Sequence, residues 1–325
     1  MAGLGRKTFS PGDVLTSSDV QGYLMDQSVM VFAGTAARAS AIPSPSAGMV
    51  AYSTATGLQL YNGTAWVAAS TGYGVATGGT SLTPWTVSTV NYNGMKFTTD
   101  GTLTVSTAGL FDVCLIGGGG TGNRGGGGAG GLLIQTIFLA ATTYTVDVGA
   151  GGSTAGTFTD GAESTIGGVI GSANIAACGG GSNGSSHNTG YGNQAAAAST
   201  VTAQNQSQGK DGGAGTGSGG GGGGGGAGSV GSNGSGNNGG NGGTGFDIAA
   251  FNSNASLFVC GGGAGGGTGT GGTGGSSSGG NGGVNGSPAA QVGVANTGGG
   301  GGGIGQGSGT AGNGGAGAVY IRFRV

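Results

Sequence analysis

Apolar positions recur along the chain at two spacings, and each spacing predicts its own elements. Near the N-terminus Val20, Tyr23 and Leu24 fall on one face at helical spacing, which predicts a short helix over 19–27 capped by Ser17 or Ser18. Such a helix is too short to hold alone and needs a surface to dock on. The apolar run 29–32 reads as a strand, and Pro43-Ser-Pro45 marks a break before the next apolar run. Beyond it, 48–52, 57–61 and 64–68 read as strands of a small β-meander turning at Asn62-Gly63. Asn-Gly between alternating strands is the strongest short hairpin signal, because both residues tolerate positive φ.

A glycine-bearing stretch around 70–80 interrupts the pattern, and the alternation returns further on. It predicts strands at 95–99, 102–106, 111–116, 132–138, 143–148, 164–166, 174–178, 256–260 and 318–323. That number of strands suffices for a β-sandwich, with Phe111, Val113, Leu115, Ile134, Tyr144, Val146, Val148, Leu257, Val319 and Ile321 as candidate core. The expected fold class is therefore mainly β. Its expected organisation is an attachment segment (1–45) with a short helix, a β-meander (46–70), a linker (71–89) and a glycine-rich domain (90–325).

Glycine changes the picture after residue 108. It fills 92 of 325 positions, most of them in this second part, against an ordinary share of about 7%. Flexible linker is the default reading of such sequence, yet these tracts keep returning to strands that must pair. In places glycine recurs every third residue, as at Gly236, Gly239, Gly242 and Gly245, at Gly280, Gly283 and Gly286, and at Gly309, Gly312 and Gly315. A period of three fits an extended left-handed helix of the polyproline II kind. Glycine-faced helices of this type can approach until their backbone N–H and C=O groups pair between neighbours. With five prolines and no strict Gly-X-Y repeat, a collagen triple helix is not expected. The expected domain is a β-sandwich carrying packed polyglycine II helices, with the non-glycine excursions exposed as loops.

Two excursions are rich enough to discriminate between ligands. The first, 182–211, holds His187, Asn188, Tyr191, Asn193, Gln194, Gln204, Asn205 and Gln206; the second, 284–297, holds Asn285, Gln291 and Asn296. These are the candidate ligand-binding residues, with His187 and Tyr191 able to stack on a sugar or a protein loop.

Charge and candidate chemistry mostly exclude. Eight Lys and Arg against ten Asp and Glu give a net charge of -2, and the basic residues are scattered, so no stripe for nucleic acid exists. Cys114, Cys178 and Cys260 are widely spaced within or beside strand-like runs, which reads as buried thiols in a protein folded in a reducing compartment. Neither a secretion signal nor an apolar run of about 18 residues is visible, so no membrane insertion is expected. Gly180-Gly-Ser182-Asn-Gly184 near His187 matches a nucleophile-elbow pattern, and 215–220 matches a dinucleotide fingerprint. Both arise by chance in a chain this rich in glycine and serine, and neither has the strand–turn–helix context its chemistry needs. Asp160 and Glu163 read as an exposed turn rather than a glycosidase pair. No enzyme activity, metal or cofactor is expected.

The run 95–105, then 111–120, 125–131 and 144–152, closing with 317–321, resembles the glycine-rich domain of bacteriophage tail-fibre and tail-tip proteins over about the last 235 residues. The stretches 41–52 and 58–67 are similar to the N-terminal part of phage tail fibres. The resemblance implies a virion component assembled in the host cytoplasm. Its N-terminal part would be held by other tail proteins, and its glycine-rich part would face a host polysaccharide or outer-membrane protein. By analogy alone it also implies a homotrimer. It implies recognition through loops between polyglycine II helices. A purely structural tail component and an ice-binding polyglycine II bundle are the alternatives.

Overall fold

The computed structural model describes residues 14, 16–19, 29–68, 72–155, 158–170, 173–182, 208–285, 288–305 and 309–325. The chain divides into two compact units, Met1–Gly72 and Tyr73–Val325.

In the first unit a helical turn, α1 (Ser17–Asp19), stands at the start of the expected helix; residues 20–28, its expected body, lie outside the described residues. Strand β1 (Met30–Phe32) pairs in parallel with β2 (Val50–Ser53), while β2, β3 (Gly57–Tyr61) and β4 (Trp66–Ala68) form the antiparallel meander. Parallel neighbours need a crossover. Helix α2 (Thr35–Ala41), which the apolar spacing did not reveal, supplies it from an alanine-rich run. The expected boundary at residue 45 therefore falls inside one folded unit. At the hairpin only Gly63 takes a positive φ, of 99°. Asn62 instead uses its side chain, whose Oδ1 accepts the N–H groups of Thr64 and Ala65 at 2.9 Å each.

The second unit begins inside the span expected to be a linker. Residues 71–89 carry β5 (Val75–Thr77) and β6 (Thr80–Val87), which correct that expectation. Glycines 72, 74, 78 and 79 punctuate these strands without breaking them from the sheets. Next along the chain are β7 (Val90–Phe97), β8 (Gly101–Thr107), β9 (Gly109–Ile116), β10 (Leu132–Leu139), β11 (Thr143–Asp147), β12 (Ser164–Ile170), β13 (Ala173–Ala177), β14 (Phe246–Asp247), β15 (Phe258–Val259) and β16 (Ala318–Arg324). Two five-stranded antiparallel sheets result, ordered β10-β9-β16-β7-β6 and β13-β12-β11-β8-β5. Their inner faces share one core. Phe111, Val113 and Leu115 of β9 with Val319, Ile321 and Phe323 of β16 meet Leu103, Val105, Tyr144, Val146 and Ile166 of the facing sheet. Val148 is partly buried against this core.

Two candidate core residues lie elsewhere. Ile134 is 42% exposed, because the β10–β9 register puts Leu133 and Ile137 opposite Leu115 and Phe111 and turns Ile134 to the other face beside Cys114. Leu257 packs in a second cluster on the outer face of the same sheet. There Cys114, Ile116, Ala318 and Tyr320 are covered by Ile248, Phe251, Val259 and Cys260 of an excursion over 246–260. Arg322 pins that excursion: its Nε donates to Asp112 at 3.1 Å, its NH1 to the carbonyl of Ala250 at 2.5 Å, and its plane lies over Tyr92 and Phe251. Trp85 Nε1 donates to the same Ala250 carbonyl at 3.0 Å.

Between the strands run the glycine segments, and their hydrogen bonds turn with a period of three. In 117–122, the N–H groups of Gly117 and Gly120 bond to Gly131 and Gly128, those of Gly118 and Thr121 to Ala162 and Thr159, and those of Gly119 and Gly122 to Gly315 and Gly312. Successive residues thus reach different neighbours, and the fourth returns to the first. The carbonyls of Gly118, Gly119 and Gly120 accept from Gly180, Gly152 and Gly301, so other segments surround this one. Segment 126–131 obeys the same rule, bonding in turn to 222–225, 298–301 and 178–181. This is the bonding of packed polyglycine II helices, and it satisfies the buried backbone groups that strands would otherwise pair.

Six of the glycines recurring every third residue pair with one neighbour. Gly239 and Gly242 donate to Thr270 and Thr273, Gly280 and Gly283 to Gly300 and Gly303, and Gly312 and Gly315 to Gly302 and Gly299. A methyl group at Gly117, Gly130, Gly222 or Gly263 would lie closer to a neighbouring carbonyl oxygen than a Cβ is ever found. Close approach is what requires glycine here.

Candidate functional site

The bundle grows end-on from the sandwich. Strand β9 runs directly into 117–122, β11 into 149–152 and β13 into 178–181; segments 126–131, 159–162 and 311–317 lead back into β10, β12 and β16. Outward from this junction, along the hydrogen-bond registers, one set of turns collects at the far end of the bundle. It comprises 123–125, 153–155 and 158, 217–219, 236–237, 268–270, 284–285 with 288–290, and 305 with 309–310. The turns at 227–229, 276–278 and 295–297, with the 246–260 excursion, lie at the sandwich end.

Side chains at the perimeter close the lattice. An outer helix leaves some of its N–H groups without a neighbouring helix, and asparagine supplies the missing acceptor. Oδ1 of Asn233, Asn241, Asn281 and Asn313 accepts the backbone N–H of Ala214, Thr273, Gly274 and Thr154 at 2.7–2.9 Å. Serine does the same where Ser229, Ser276 and Ser278 accept from Thr244, Gly245 and Gly261. The four asparagines are structural, although composition alone makes them look like surface amides available for recognition.

At the far end, side chains gather that are exposed and held by the lattice. Asn237 and Asn238 are exposed; the carbonyl of Asn237 accepts from Gly269 at 2.9 Å, and Asn238 Oδ1 lies 2.9 Å from the Thr270 hydroxyl. Ser218 and Thr216 both donate to the carbonyl of Gly236, at 3.2 and 2.6 Å. Beside them the Thr268 hydroxyl is buried, with no hydrogen-bond partner among the described residues. The cluster is built from amides and hydroxyls, which suit a hydroxyl-bearing or peptide ligand.

The sequence-derived candidates fall into separate places. Asn285 is exposed at this far end, where its N–H donates to Gly267 at 3.2 Å. Gln291 is exposed on the perimeter, its backbone locked between Asn281 and Gly302 at 2.9 Å. Asn296 is half-buried in a turn at the sandwich end, with a φ of 61° that asparagine tolerates well. The structure therefore does not bring Asn296 together with Asn285. His187, Asn188, Tyr191, Asn193, Gln194, Gln204, Asn205 and Gln206 lie outside the described residues. The 236–238 and 268–270 tips were missed because they are short. Their signal was the pair Asn237-Asn238 filling both positions between Gly236 and Gly239.

Burial pushes the thiols of Cys114 and Cys260 far above their usual range, and it raises Tyr320 to about 12. No group of three or more His, Cys, Asp or Glu side chains is placed to hold a metal ion among the described residues.

A family model described as a glycine-rich domain matches residues 98–324. No curated protein matches the chain.

Proposed function

The chain belongs to the family of glycine-rich domains, and from that premise we propose that it is a bacteriophage tail-fibre or tail-tip adhesin. Its N-terminal unit is held by other tail proteins, and its glycine-rich unit binds a receptor on the host surface, a polysaccharide or an outer-membrane protein. One observation carries the reading. The glycine helices spend their backbone groups on one another, so discrimination is left to the excursions between them, above all those at the end of the bundle away from the sandwich. A lattice of this kind holds loops on a rigid platform while leaving their sequences free to differ, which suits recognition. The protein acts in this role by binding, without catalysis.

The test is adsorption. Purified full-length chain, fluorescently labelled, is expected to bind host cells and to compete with the phage for attachment. Replacing Asn237, Asn238 and Asn285 with alanine, or His187 and Tyr191 with alanine, is expected to lower binding at least tenfold while the thermal unfolding midpoint stays unchanged. A folded chain that binds no cells susceptible to the phage would instead assign it a structural place in the tail.

One observation favours a second reading. Adjoining perimeter helices present Asn238, Asn241 and Thr244 beside Thr270 and Thr273, all exposed and repeating every three residues. A regular face of this kind suits ice. Inhibition of ice recrystallisation by the purified chain would support it.

A further inference from the structure

Segments 117–122 and 126–131 lie side by side inside the bundle, and the turn that joins them, 123–125, stands in the middle of the far end. Three neighbouring segments brace that turn. The Gly266 N–H donates to the carbonyl of Arg124 at 2.9 Å and the Ile304 N–H to that of Asn123 at 2.5 Å, while a methyl group at Gly221 or Gly303 would run into the Arg124 carbonyl. The backbone of Arg124 is thereby fixed level with Gly221, Gly266 and Gly303. Their own turns, at 217–219, 268–270 and 305 onward, reach two residues further out, which at about 3.1 Å per residue puts their tips about 6 Å above it. The middle of the far end is therefore a recess with an arginine at its floor.

Arg124 is half-buried, and its guanidinium has no hydrogen-bond or ion-pair partner among the described residues. Nothing close by supplies one, since the bracing stretches 217–227, 260–270 and 298–305 contain no charged residue. Asp160, the other charged side chain toward this end, is exposed on a different flank, where it accepts the Ser182 N–H. Around the recess stand the hydroxyls of Ser218 and Thr270 and, one helix further out, the amides of Asn237 and Asn238. A guanidinium presents a fixed fork of donors that matches the two oxygens of a carboxylate or phosphate, and it stays charged at any physiological pH. Amides and hydroxyls pair with the hydroxyls of a sugar. One unpaired cation within a ring of neutral polar groups fits a carbohydrate that carries an acidic group.

We propose that Arg124 determines the specificity of the far-end site, and that the receptor it selects is an acidic polysaccharide, with a carboxylate or phosphate on the guanidinium and sugar hydroxyls on the surrounding side chains. The inference rests on the adhesin role proposed above and narrows its receptor to an oxyanion-bearing carbohydrate.

Attachment of the labelled full-length chain to susceptible cells tests the two separately. The native chain is expected to bind, and to bind less as salt is raised. Arg124→Gln is expected to bind at least tenfold more weakly with an unchanged thermal unfolding midpoint, and Arg124→Lys to recover only part of the loss. Polysaccharide isolated from those cells is expected to compete. Reducing its carboxyls to alcohols, or cleaving its phosphates with hydrofluoric acid, is expected to abolish competition in one of the two preparations, which names the acidic group. A native chain that binds no such cells would overturn the adhesin role and this inference with it. Attachment that survives Arg124→Gln, that polysaccharide stripped of both groups still blocks, or that protease treatment of the cells abolishes would overturn the inference and leave the adhesin role standing.

Discussion

At the scale of single residues, glycine has two roles in this chain, and substitution separates them. At Gly263 an added methyl would run into the carbonyl of Gly301, and the obstacle is backbone of a helix that is itself enclosed. Neither partner has a flexible side chain that can yield. Gly263→Ala is therefore expected to cost at least the 1–3 kcal/mol typical of overpacking, and about 3 kcal/mol or more where the lattice must separate to accept it. Gly217 sits in a far-end turn with open space where its Cβ would be and no left-handed φ. Gly217→Ala is expected to be neutral, or to stabilise by about 0.5 kcal/mol by restricting the unfolded chain. Differential scanning calorimetry of the two variants checks both. Equal midpoints would mean that the tracts are not packed as described.

At the scale of elements, the 246–260 excursion shows how a polar group shapes a cover for an apolar face. Asp247 accepts the N–H groups of Leu257 and Ala249 and the Ser256 hydroxyl, at 2.8–3.0 Å. The Leu257 N–H and then the Ser256 hydroxyl hold its carboxyl below the usual aspartate range; burial opposes them and outweighs the further lowering by the Ala249 N–H. A carboxylate with a depressed pKa in the folded state contributes stability that is present above its unfolded pKa and is lost as pH falls through the folded one. The backbone amide resonances of Ala249 and Leu257 are expected to stay unchanged as pH falls through the ordinary aspartate range and to shift only below it. In Asp247→Asn that acid transition is expected to vanish. A shift centred at the ordinary aspartate value would contradict the hydrogen-bond set.

The same excursion marks where sequence stopped being informative. The runs 111–116 and 318–323 were enough to find the central strands, because both of their faces are mostly apolar. In 132–139 the apolar residues occupy both faces, so Ile134 looked as inward as Leu133 until the pairing with β9 fixed the register. The strands at 75–77 and 80–87 were hidden by glycine punctuation and by a mostly exposed edge. The period of three in the glycine tracts was legible, since it repeats within a few residues. The choice of neighbours was not, because it joins Gly119 to Gly315 and Gly127 to Gly301. For the same reason the far-end cluster could not be read in advance: Ser218, Asn238 and Thr270 meet only once three separate helices have been placed.

At the scale of the whole glycine-rich unit, stability must be collective. A lone polyglycine II helix has no internal hydrogen bonds, and fixing glycine carries the largest backbone entropy cost of any residue. No segment can therefore form ahead of its neighbours, and those neighbours come from distant parts of the sequence. Segment 117–122 needs 159–162 and 312–315; segment 220–227 needs 229–236 and 260–266. Strand β16 binds the architecture further, since it lies at the centre of its sheet and continues from the last glycine helix. Native-state hydrogen exchange is expected to show the amides of Gly119, Gly127, Gly224 and Gly263 opening together, at the rate of global unfolding, with no local route. Removing residues 311–325 is expected to unfold the unit from Tyr73 onward rather than only fray its end. Fast, independent exchange at those four glycines would return the tracts to the status of flexible linkers. It would also remove the rigid platform on which the proposed recognition loops depend.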